Sequence, residues 1–221
     1  MQDLANTQNF AVNNILKTDY KQIEEVSLYN LKLKGKNFRS AILFSLAKAI
    51  HYNHPFVKDA EDNDPIKTFE NTRQYDQVIA LAACIEIAHN ASLLQDDIID
   101  KADSRRSVEA AHKVYGPSTS VFASDFMISR ASRMLTHSFD TVHMSQIFST
   151  AINNLVYGEL IQAKRDFKHQ KSLLEDADDM PLVDYESYFE SYIAKTYYKT
   201  ASMISLGCRG IGLIFNLDTE N

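Results

Sequence analysis

The stretch VIALAACIEIAHNASLL, residues 78–94, is apolar on nearly all sides of a helix. A helix without a polar face is stable only when other elements surround it, so this stretch predicts the central helix of a large bundle. The helical pattern extends over residues 74–100, about seven turns at the standard period. The chain has only 6 glycines and 4 prolines, and no strand alternation stands out. We therefore expect an all-α fold.

Further helices are predicted on both sides of the central one. A break falls in LKLKGKNFRS, around Gly35, and loops are expected at residues 51–72 and at KHQKSLLEDADDMP. A chain of 221 residues in which 45% are apolar fits one large domain better than two. We expect a single domain over residues 1–221. The predicted helices cover residues 15–33, 40–50, 74–100, 121–138, 142–167 and 185–206.

Composition narrows the functional classes. The 23 basic and 29 acidic residues give a net charge of −6, without the basic surface that nucleic-acid binding usually requires. Cys84 and Cys208 lie in apolar helical patterns without metal-ligand spacing, which favours reduced thiols and an intracellular protein. No apolar run approaches the length of a membrane-spanning helix. The acidic residues Asp3, Glu24 and Glu25 count against an intact signal or transit peptide.

Three carboxylates, in DDIID, end the central helix. Asp96 and Asp100 are four residues apart and Asp97 and Asp100 three apart, so they project from neighbouring turns on one face. Like charges placed in this way repel each other, and acids at a helix C-terminus oppose the macrodipole. The cluster is therefore typical of a site where Mg²⁺ joins carboxylates to a phosphorylated ligand. An exposed acidic helix end is the alternative.

Basic residues surround this cluster in the sequence. Arg105 and Arg106 follow it, and guanidinium groups suit bidentate binding of phosphate oxygens, although adjacent arginines are usually solvated. Lys36 and Arg39 lie at the break into a helix, where backbone N–H groups also favour anions. His89 lies two helical turns before the acids on the same face, where a core histidine is an equally good interpretation. Together these residues indicate a diphosphate site.

The order of these motifs is similar to that of the trans-isoprenyl diphosphate synthases. GK-x-x-R is followed by H-x-x-x-S-L-x-x-DD-x-x-D and then by RR. SDFMISRAS, YGELIQ and YYKTASMISLGC resemble three further family segments, so the resemblance covers about residues 31–212. It is nearest to the medium- and long-chain synthases that make quinone side chains. The family's second aspartate motif, FQ-x-x-DD-x-x-D, does not occur in these 221 residues.

The resemblance implies a helical bundle around a deep apolar cavity, incomplete at the C-terminus, and roles for single residues. Asp96 and Asp100, with Asp97 nearby, would hold Mg²⁺ on the allylic diphosphate. Arg105 would bind the same diphosphate. The isopentenyl diphosphate would be bound by Lys36, Arg39, His89 and Arg106. The ionisation site would include Lys199, Thr200 and Gln162, with a surface lysine as the alternative for Lys199, and Ala91 and Ser92 would set the product length.

The sequence departs from the family pattern at four positions. Asn37 replaces the basic residue that often follows GK, and Ser40 stands where proline is usual. Ser107 stands where glycine commonly follows RR, and Ser124 replaces the glycine before Asp125. Serine adopts the positive φ of glycine less readily, so these replacements affect the expected loop geometry.

Two functions follow from the resemblance. The first is an Mg²⁺-dependent prenyltransferase that condenses isopentenyl diphosphate with an allylic diphosphate, head to tail, into a long chain for ubiquinone-type quinones. The second is a non-catalytic or regulatory partner subunit of such a synthase. We expect a homodimer or a heterodimer with a related subunit, without nucleic acid or a transmembrane segment, and with peripheral membrane contact through the product. In an unrelated helical binding protein, all of these motifs would have to occur in the family's order by chance.

Two further expectations concern location and competence. The cell compartment would be the mitochondrion in a eukaryote and the cytoplasm otherwise. Because DDIID supplies carboxylates on only one side of a leaving diphosphate, we expect the 221 residues alone not to be a competent synthase.

Overall fold

The structure, a computed structural model, describes residues 2–33, 35–53, 69–139, 142–172 and 185–217. These residues are almost entirely helical, which confirms the all-α class. A short antiparallel hairpin, β1 (Ser104–Arg105) and β2 (Val108–Glu109), interrupts the helices. The helices are α1 (Gln2–Phe10), α2 (Lys21–Leu31), α3 (Phe38–Asn53), α4 (Arg73–Ile99), α5 (Ala111–Tyr115), α6 (Pro117–Ser138), α7 (Val142–Ser172), α8 (Tyr185–Thr196) and α9 (Ser202–Ile214), with π-helical turns at Ala11–Leu16 and Tyr197–Ala201.

Helix α4 is the central helix that the apolar stretch predicts. It begins after Thr72, whose side chain accepts a hydrogen bond from the backbone N–H of Tyr75 at 3.1 Å. This side-chain cap satisfies one of the free N–H groups of the first turn. Helix α4 is buried over most of its length and packs against α1, α2, α3, α5 and α6, most extensively against α6. The observed bounds agree with the predicted range of 74–100.

By length and composition alone, α4 could cross a membrane. The expectation that no apolar run approaches that length therefore needs correction. However, 78% of the most apolar window of α4 is buried inside the protein. A buried core helix of a soluble protein passes the same test, so this is weak evidence for a membrane span.

The N-terminal region differs from the sequence prediction. The sequence predicts one helix over residues 15–33, but the chain leaves helical conformation between Leu16 and Lys21. Arg130 on α6 donates hydrogen bonds to the carbonyls of Ile15 at 2.6 Å and Lys17 at 3.1 Å. These carbonyls thus find a partner outside the helix, so the helix can end there.

The remaining predicted helices are present. Helix α3 covers the predicted range 40–50 and extends it at both ends, and α6 covers 121–138. Helix α7 covers 142–167, and helical structure continues from residue 185 beyond the predicted end at 206. Helix α7 continues to Ser172, so residues 168–172 of the expected acidic loop are helical instead. Most of the loop expected at 51–72, and residues 173–181 of the acidic loop, lie outside the described residues.

The chain divides into two compact units. The first comprises residues 1–147 and 207–221, and the second comprises residues 148–206. The second unit includes most of α7, together with α8 and the π-helical turn that follows it. Inside it, the rings of Tyr157 and Tyr198 meet edge to face with centroids 5.9 Å apart. The single domain over residues 1–221 stays a prediction.

Candidate functional site

A cavity of about 580 Å³ opens in the first unit between α1, the N-terminus of α3, α4 and the hairpin turn. Leu4, Thr7 and Gln8 of α1 form one wall of the cavity. The other walls contain all four residues that the sequence predicted around one diphosphate, namely Lys36, Arg39, His89 and Arg106. The structure therefore brings these four residues together, although they lie up to 70 positions apart in the sequence.

Arg106 reaches this cavity from the turn of the hairpin. Arg106 and Ser107 both have positive φ, at 52° and 67°, as the central residues of a tight two-residue hairpin turn require. The Nη1 atom of Arg106 donates a hydrogen bond to the carbonyl of Leu33 at 3.1 Å. A Cβ atom on Gly35 would lie 2.7 Å from this Nη1, so the glycine makes room for the guanidinium. These contacts join the hairpin to the GKNFR segment.

His89 lies among cationic neighbours. Burial lowers the pKa of His89, and the charges of Arg39, Arg106 and Arg105 lower it further, to about 3. The imidazole is therefore neutral near pH 7 and can take part in hydrogen bonds without adding charge. An anion in the cavity would oppose the effect of the arginines and raise this pKa.

Arg39 and Glu86 face the same cavity. Burial lowers the pKa of Arg39, and the charge of Glu86 opposes this shift. The Oε1 atom of Glu86 accepts hydrogen bonds from Ser40 Oγ at 2.8 Å and from the backbone N–H of Ser40 at 3.2 Å. Glu86 is not among the site residues predicted from the sequence. Its position one turn before His89, as the only acidic residue in the apolar stretch, is the signal that could have found it.

The acidic cluster lies where α4 ends. The backbone N–H of Ala102 donates to the carbonyl of Asp97 at 2.9 Å, and that of Lys101 donates to Ile98 at 3.2 Å. Lys101 has a φ of 53°, so the helix ends in a Schellman motif with a left-handed residue after its cap. The motif stops the helix directly after the DDIID segment and turns the chain towards the hairpin.

Asp97 and Arg105 form a bidentate ion pair at this helix end. Asp97 is only 2% exposed, and its two carboxylate oxygens accept hydrogen bonds from Arg105 Nε at 2.7 and 2.8 Å. The hydrogen bond with Asp97 is the main reason that the pKa of Arg105 is raised. Asp96 lies 3.9 Å from the same guanidinium, and Asp100 is exposed.

No three His, Cys, Asp or Glu side chains in the described part of the chain are grouped to hold a metal ion between them. The carboxylate of Asp97 is already bonded to Arg105, whereas Asp96 and Asp100 lie one turn apart. The metal-binding roles assigned to Asp96, Asp97 and Asp100 stay predictions.

The second unit contains another group of predicted residues. The ammonium group of Lys199 lies 2.7 Å from Glu159 Oε1 and donates a hydrogen bond to Gln162 Oε1 at 3.0 Å. A Cβ atom on Gly158 would lie 2.5 Å from Lys199 Cγ, so this glycine lets the lysine side chain pass. Lys199 lies in a π-helical turn, a distortion often found at functional sites. The structure thus pairs Lys199 with Gln162 and adds Glu159, while Thr200 is exposed.

The two residues predicted to set product length lie on α4. Ala91 is fully buried, and its carbonyl accepts a hydrogen bond from Ser124 Oγ on α6 at 3.1 Å. Ser92 is partly exposed and donates to the carbonyl of His89 at 2.8 Å. Their role in product length, and the deep apolar cavity for a prenyl chain, stay predictions.

The four departures from the family pattern have different structural consequences. Ser40 and Ser124 lie inside helices, where each is buried and donates a hydrogen bond. Asn37 and Ser107 have positive φ, at 43° and 67°. Serine therefore occupies a positive φ, which glycine adopts more readily, at position 107 and not at position 124.

Comparisons with known proteins show the family of this chain. Residues 20–221 match the family model described as polyprenyl synthetase. The chain belongs to the polyprenyl synthetase family. It is 34% identical over 188 residues to solanesyl diphosphate synthase 3, chloroplastic/mitochondrial, of Arabidopsis thaliana, covering 85% of this chain and 40% of that protein. It is 29% identical over 203 residues to decaprenyl-diphosphate synthase subunit 1 of Schizosaccharomyces pombe, covering 90% and 51%.

Solved structures show the same fold. A decaprenyl diphosphate synthase from Rhodobacter capsulatus matches with a TM-score of 0.72 at 20% identity, covering 98% of this chain and 55% of that one. A geranylgeranyl pyrophosphate synthase from Lactobacillus brevis matches with a TM-score of 0.70 at 24% identity, covering 98% and 56%. At these identities the likeness concerns the fold alone. The chain spans about half the length of the curated relatives it matches, between 38% and 51% for the first three.

Proposed function

We propose that the protein acts in trans-polyprenyl diphosphate synthesis, condensing isopentenyl diphosphate with an allylic diphosphate into a long prenyl chain for a quinone. The observation that carries this proposal is the cavity that gathers Lys36, Arg39, His89 and Arg106. Two arginines and a lysine around one space suit a diphosphate, because guanidinium and ammonium groups bind phosphate oxygens through charge-assisted hydrogen bonds. Relatives that make solanesyl and decaprenyl diphosphate support a long product.

In the proposed reaction, the C–O bond of the allylic diphosphate breaks and pyrophosphate leaves with the electron pair. The double bond of isopentenyl diphosphate attacks the resulting carbocation, a C–C bond forms and a proton is lost. Charge grows on the leaving diphosphate during the first step, so cations aimed at it stabilise the transition state more than the ground state. The family resemblance assigns such a charge to Lys199, whose ammonium group is held by Gln162 and Glu159.

Asp96 and Asp100 fit a bound Mg²⁺ better than Asp97 does. Mg²⁺ is usually held by one or two carboxylates together with substrate phosphates, and Asp96 and Asp100 lie one turn apart at the end of α4. Asp97 instead holds Arg105 through two carboxylate oxygens. When bound, Mg²⁺ would neutralise charge on the leaving diphosphate. Arg105, fixed by Asp97, would bind the same diphosphate from the protein side.

The second candidate is a non-catalytic partner subunit of such a synthase. The relative from Schizosaccharomyces pombe is named a subunit, which supports a heterodimer as well as a homodimer for this chain. Mitochondrial and chloroplastic relatives support the mitochondrion as the compartment if the organism is a eukaryote.

The test is incubation of the protein with farnesyl diphosphate, labelled isopentenyl diphosphate and Mg²⁺, followed by sizing of the labelled products. The assay is run with and without a purified related synthase subunit. Asp96→Ala should lower turnover by about a hundredfold or more, because it removes charge stabilisation that grows in the transition state. Asp103→Asn is the matched control, since Asp103 is 90% exposed and its ion pair is with Lys113.

Long labelled chains that depend on Asp96 support the synthase. If a partner makes the product and Asp96→Ala has no effect on it, the regulatory subunit is the better assignment. If turnover in Asp96→Ala equalled that of the wild type both with and without the related subunit, the acidic cluster would have no role in the reaction.

A further inference from the structure

Ser40 and Glu86 form a buried contact in the wall of the diphosphate cavity. Glu86 is 8% exposed and Ser40 is fully buried. One carboxylate oxygen of Glu86 accepts hydrogen bonds from both the hydroxyl group and the backbone N–H of Ser40, at 2.8 and 3.2 Å. A carboxylate near a cavity for an anion repels the ligand, so its presence in this wall needs a physical reason.

Arg39, a cationic residue of the same cavity, is the group on which the charge of Glu86 acts. Its Nε atom is buried and has no hydrogen-bond partner among the residues that the structure describes. The charge of Glu86 acts on the Arg39 guanidinium, yet within the described ranges the two side chains form no ion pair at 4.0 Å or less. A buried arginine next to a buried carboxylate would normally pair with it. Here two hydrogen bonds from Ser40 to Oε1 hold the carboxylate against the start of α3.

We infer that Ser40 is a positioning residue, which holds the Glu86 carboxylate so that the Arg39 guanidinium stays available for a diphosphate. This inference rests on the proposed function, because it concerns how the same cavity keeps the Arg39 guanidinium available for a diphosphate. Proline, which is usual at this position in the family that the sequence resembles, could make neither hydrogen bond. The contact also places a negative charge at the N-terminus of α3, where the helix dipole favours it.

The test measures binding of inorganic pyrophosphate to the whole chain by isothermal titration calorimetry. In Ser40→Ala, Glu86 loses the hydroxyl hydrogen bond of 2.8 Å and keeps the longer one, of 3.2 Å, from the backbone N–H. The less restrained carboxylate then turns towards Arg39 and pairs with it. If this pairing leaves the Arg39 guanidinium available for pyrophosphate in about a tenth of the molecules, the affinity for pyrophosphate falls about tenfold. The double variant Ser40→Ala/Glu86→Gln should return close to the wild-type affinity, because a neutral amide cannot form the ion pair. Ser45→Ala is the matched control, since this serine of α3 is exposed and its hydroxyl donates to the carbonyl of Ala41.

A spectroscopic measurement separates positioning from a loss of folding. The ¹⁵Nε resonance of Arg39, assigned by Arg39→Lys, should shift in Ser40→Ala and return in the double variant. Glu86→Gln alone should bind pyrophosphate at least as tightly as the wild type, because it removes a repelling charge from the cavity wall. This variant keeps the inference testable if Ser40→Ala folds poorly.

The outcomes distinguish this inference from the proposed function. An unchanged affinity in Ser40→Ala, a double variant as weak as Ser40→Ala, or weaker binding in Glu86→Gln would overturn the positioning role while pyrophosphate still binds through Lys36. Lack of pyrophosphate binding by the wild type, or binding insensitive to Lys36→Ala, would overturn the diphosphate site itself and the positioning role with it.

Discussion

Replacing Asp97 by asparagine tests whether this carboxylate holds the end of α4 together. In the structure, both of its oxygens accept hydrogen bonds from Arg105 Nε at 2.7 and 2.8 Å, and Nη2 is bonded as well. An asparagine side chain offers only one oxygen and turns an NH₂ group towards the guanidinium donors. The substitution therefore keeps the shape of the site but removes the negative charge and about half of its accepting capacity.

The expected loss of stability follows from the burial of the two partners. Breaking a fully buried ion pair costs about 3–5 kcal/mol. The Asp97 side chain is 3% exposed, but that of Arg105 is 23% exposed and lies 3.9 Å from Asp96, so it recovers part of its solvation and charge pairing. We therefore expect Asp97→Asn to lower the free energy of unfolding by about 2–3 kcal/mol. For a chain of this size that corresponds to a drop of about 5–10 °C in Tm.

The assay is thermal and urea unfolding followed by circular dichroism. The matched control is Asp103→Asn, because Asp103 is paired with Lys113 at 3.0 Å but is 90% exposed, and exposed pairs contribute little. If both variants unfolded at the same temperature as the wild type, the Asp97–Arg105 pair would not be the structural contact described here. A loss of stability seen only in the presence of Mg²⁺ would assign Asp97 to metal binding instead.

Three further predictions concern the hairpin, His89 and the product length. Ser107→Gly should raise the free energy of unfolding by up to about 1 kcal/mol, because Ser107 has a φ of 67°; a lower urea midpoint would contradict this. His89 binds a proton with a pKa of about 3 in the folded protein and near 6.5 when unfolded. The unfolded chain therefore takes up a proton on His89 as pH falls from 6.5 to 3, while the folded chain does not, and the free energy of unfolding falls in that window. His89→Gln should flatten this part of the plot of the free energy of unfolding against pH. An unchanged slope would refute the buried, neutral state of His89. Ser92→Phe should shorten the polyprenyl product, measured by chromatography of labelled products. Ala91→Phe should instead mainly destabilise the fold, because Ala91 is fully buried where α4 packs on α6. An unaltered product distribution in Ser92→Phe would place the length limit elsewhere.

The central helix and the cationic residues of the cavity could be predicted from the sequence. Helix α4 carries a strong local signal, because a long segment that is apolar on all sides has few alternatives to a central position. The basic side chains of Lys36, Arg39 and Arg106 suit phosphate, and the order of their motifs, with His89, resembles that of a known family. Their meeting around one cavity depends on the packing of α3 and the hairpin against α4, which periodicity alone does not reveal.

Several contacts could not be predicted because they depend on tertiary geometry. The break after Leu16 depends on Arg130, which lies more than a hundred residues further along the chain. The hairpin has strands of only two residues and a turn of Arg106 and Ser107, which lacks the usual asparagine and glycine signal. The pairing of Asp97 with Arg105 follows from the Schellman ending of α4, which makes the two residues meet.

The proposed function depends on diphosphate binding in the cavity between α1, α3, α4 and the hairpin. The most direct measurement is calorimetric titration of isopentenyl diphosphate, and separately of farnesyl diphosphate, into the wild type, Lys36→Ala/Arg106→Ala and the exposed control Lys113→Ala. We predict that the double variant loses affinity for isopentenyl diphosphate by on the order of a hundredfold, since two charge-assisted contacts are removed, while Lys113→Ala binds like the wild type. Equal affinities in all three proteins would contradict the site, and a loss confined to farnesyl diphosphate would show that the cavity holds the allylic substrate instead.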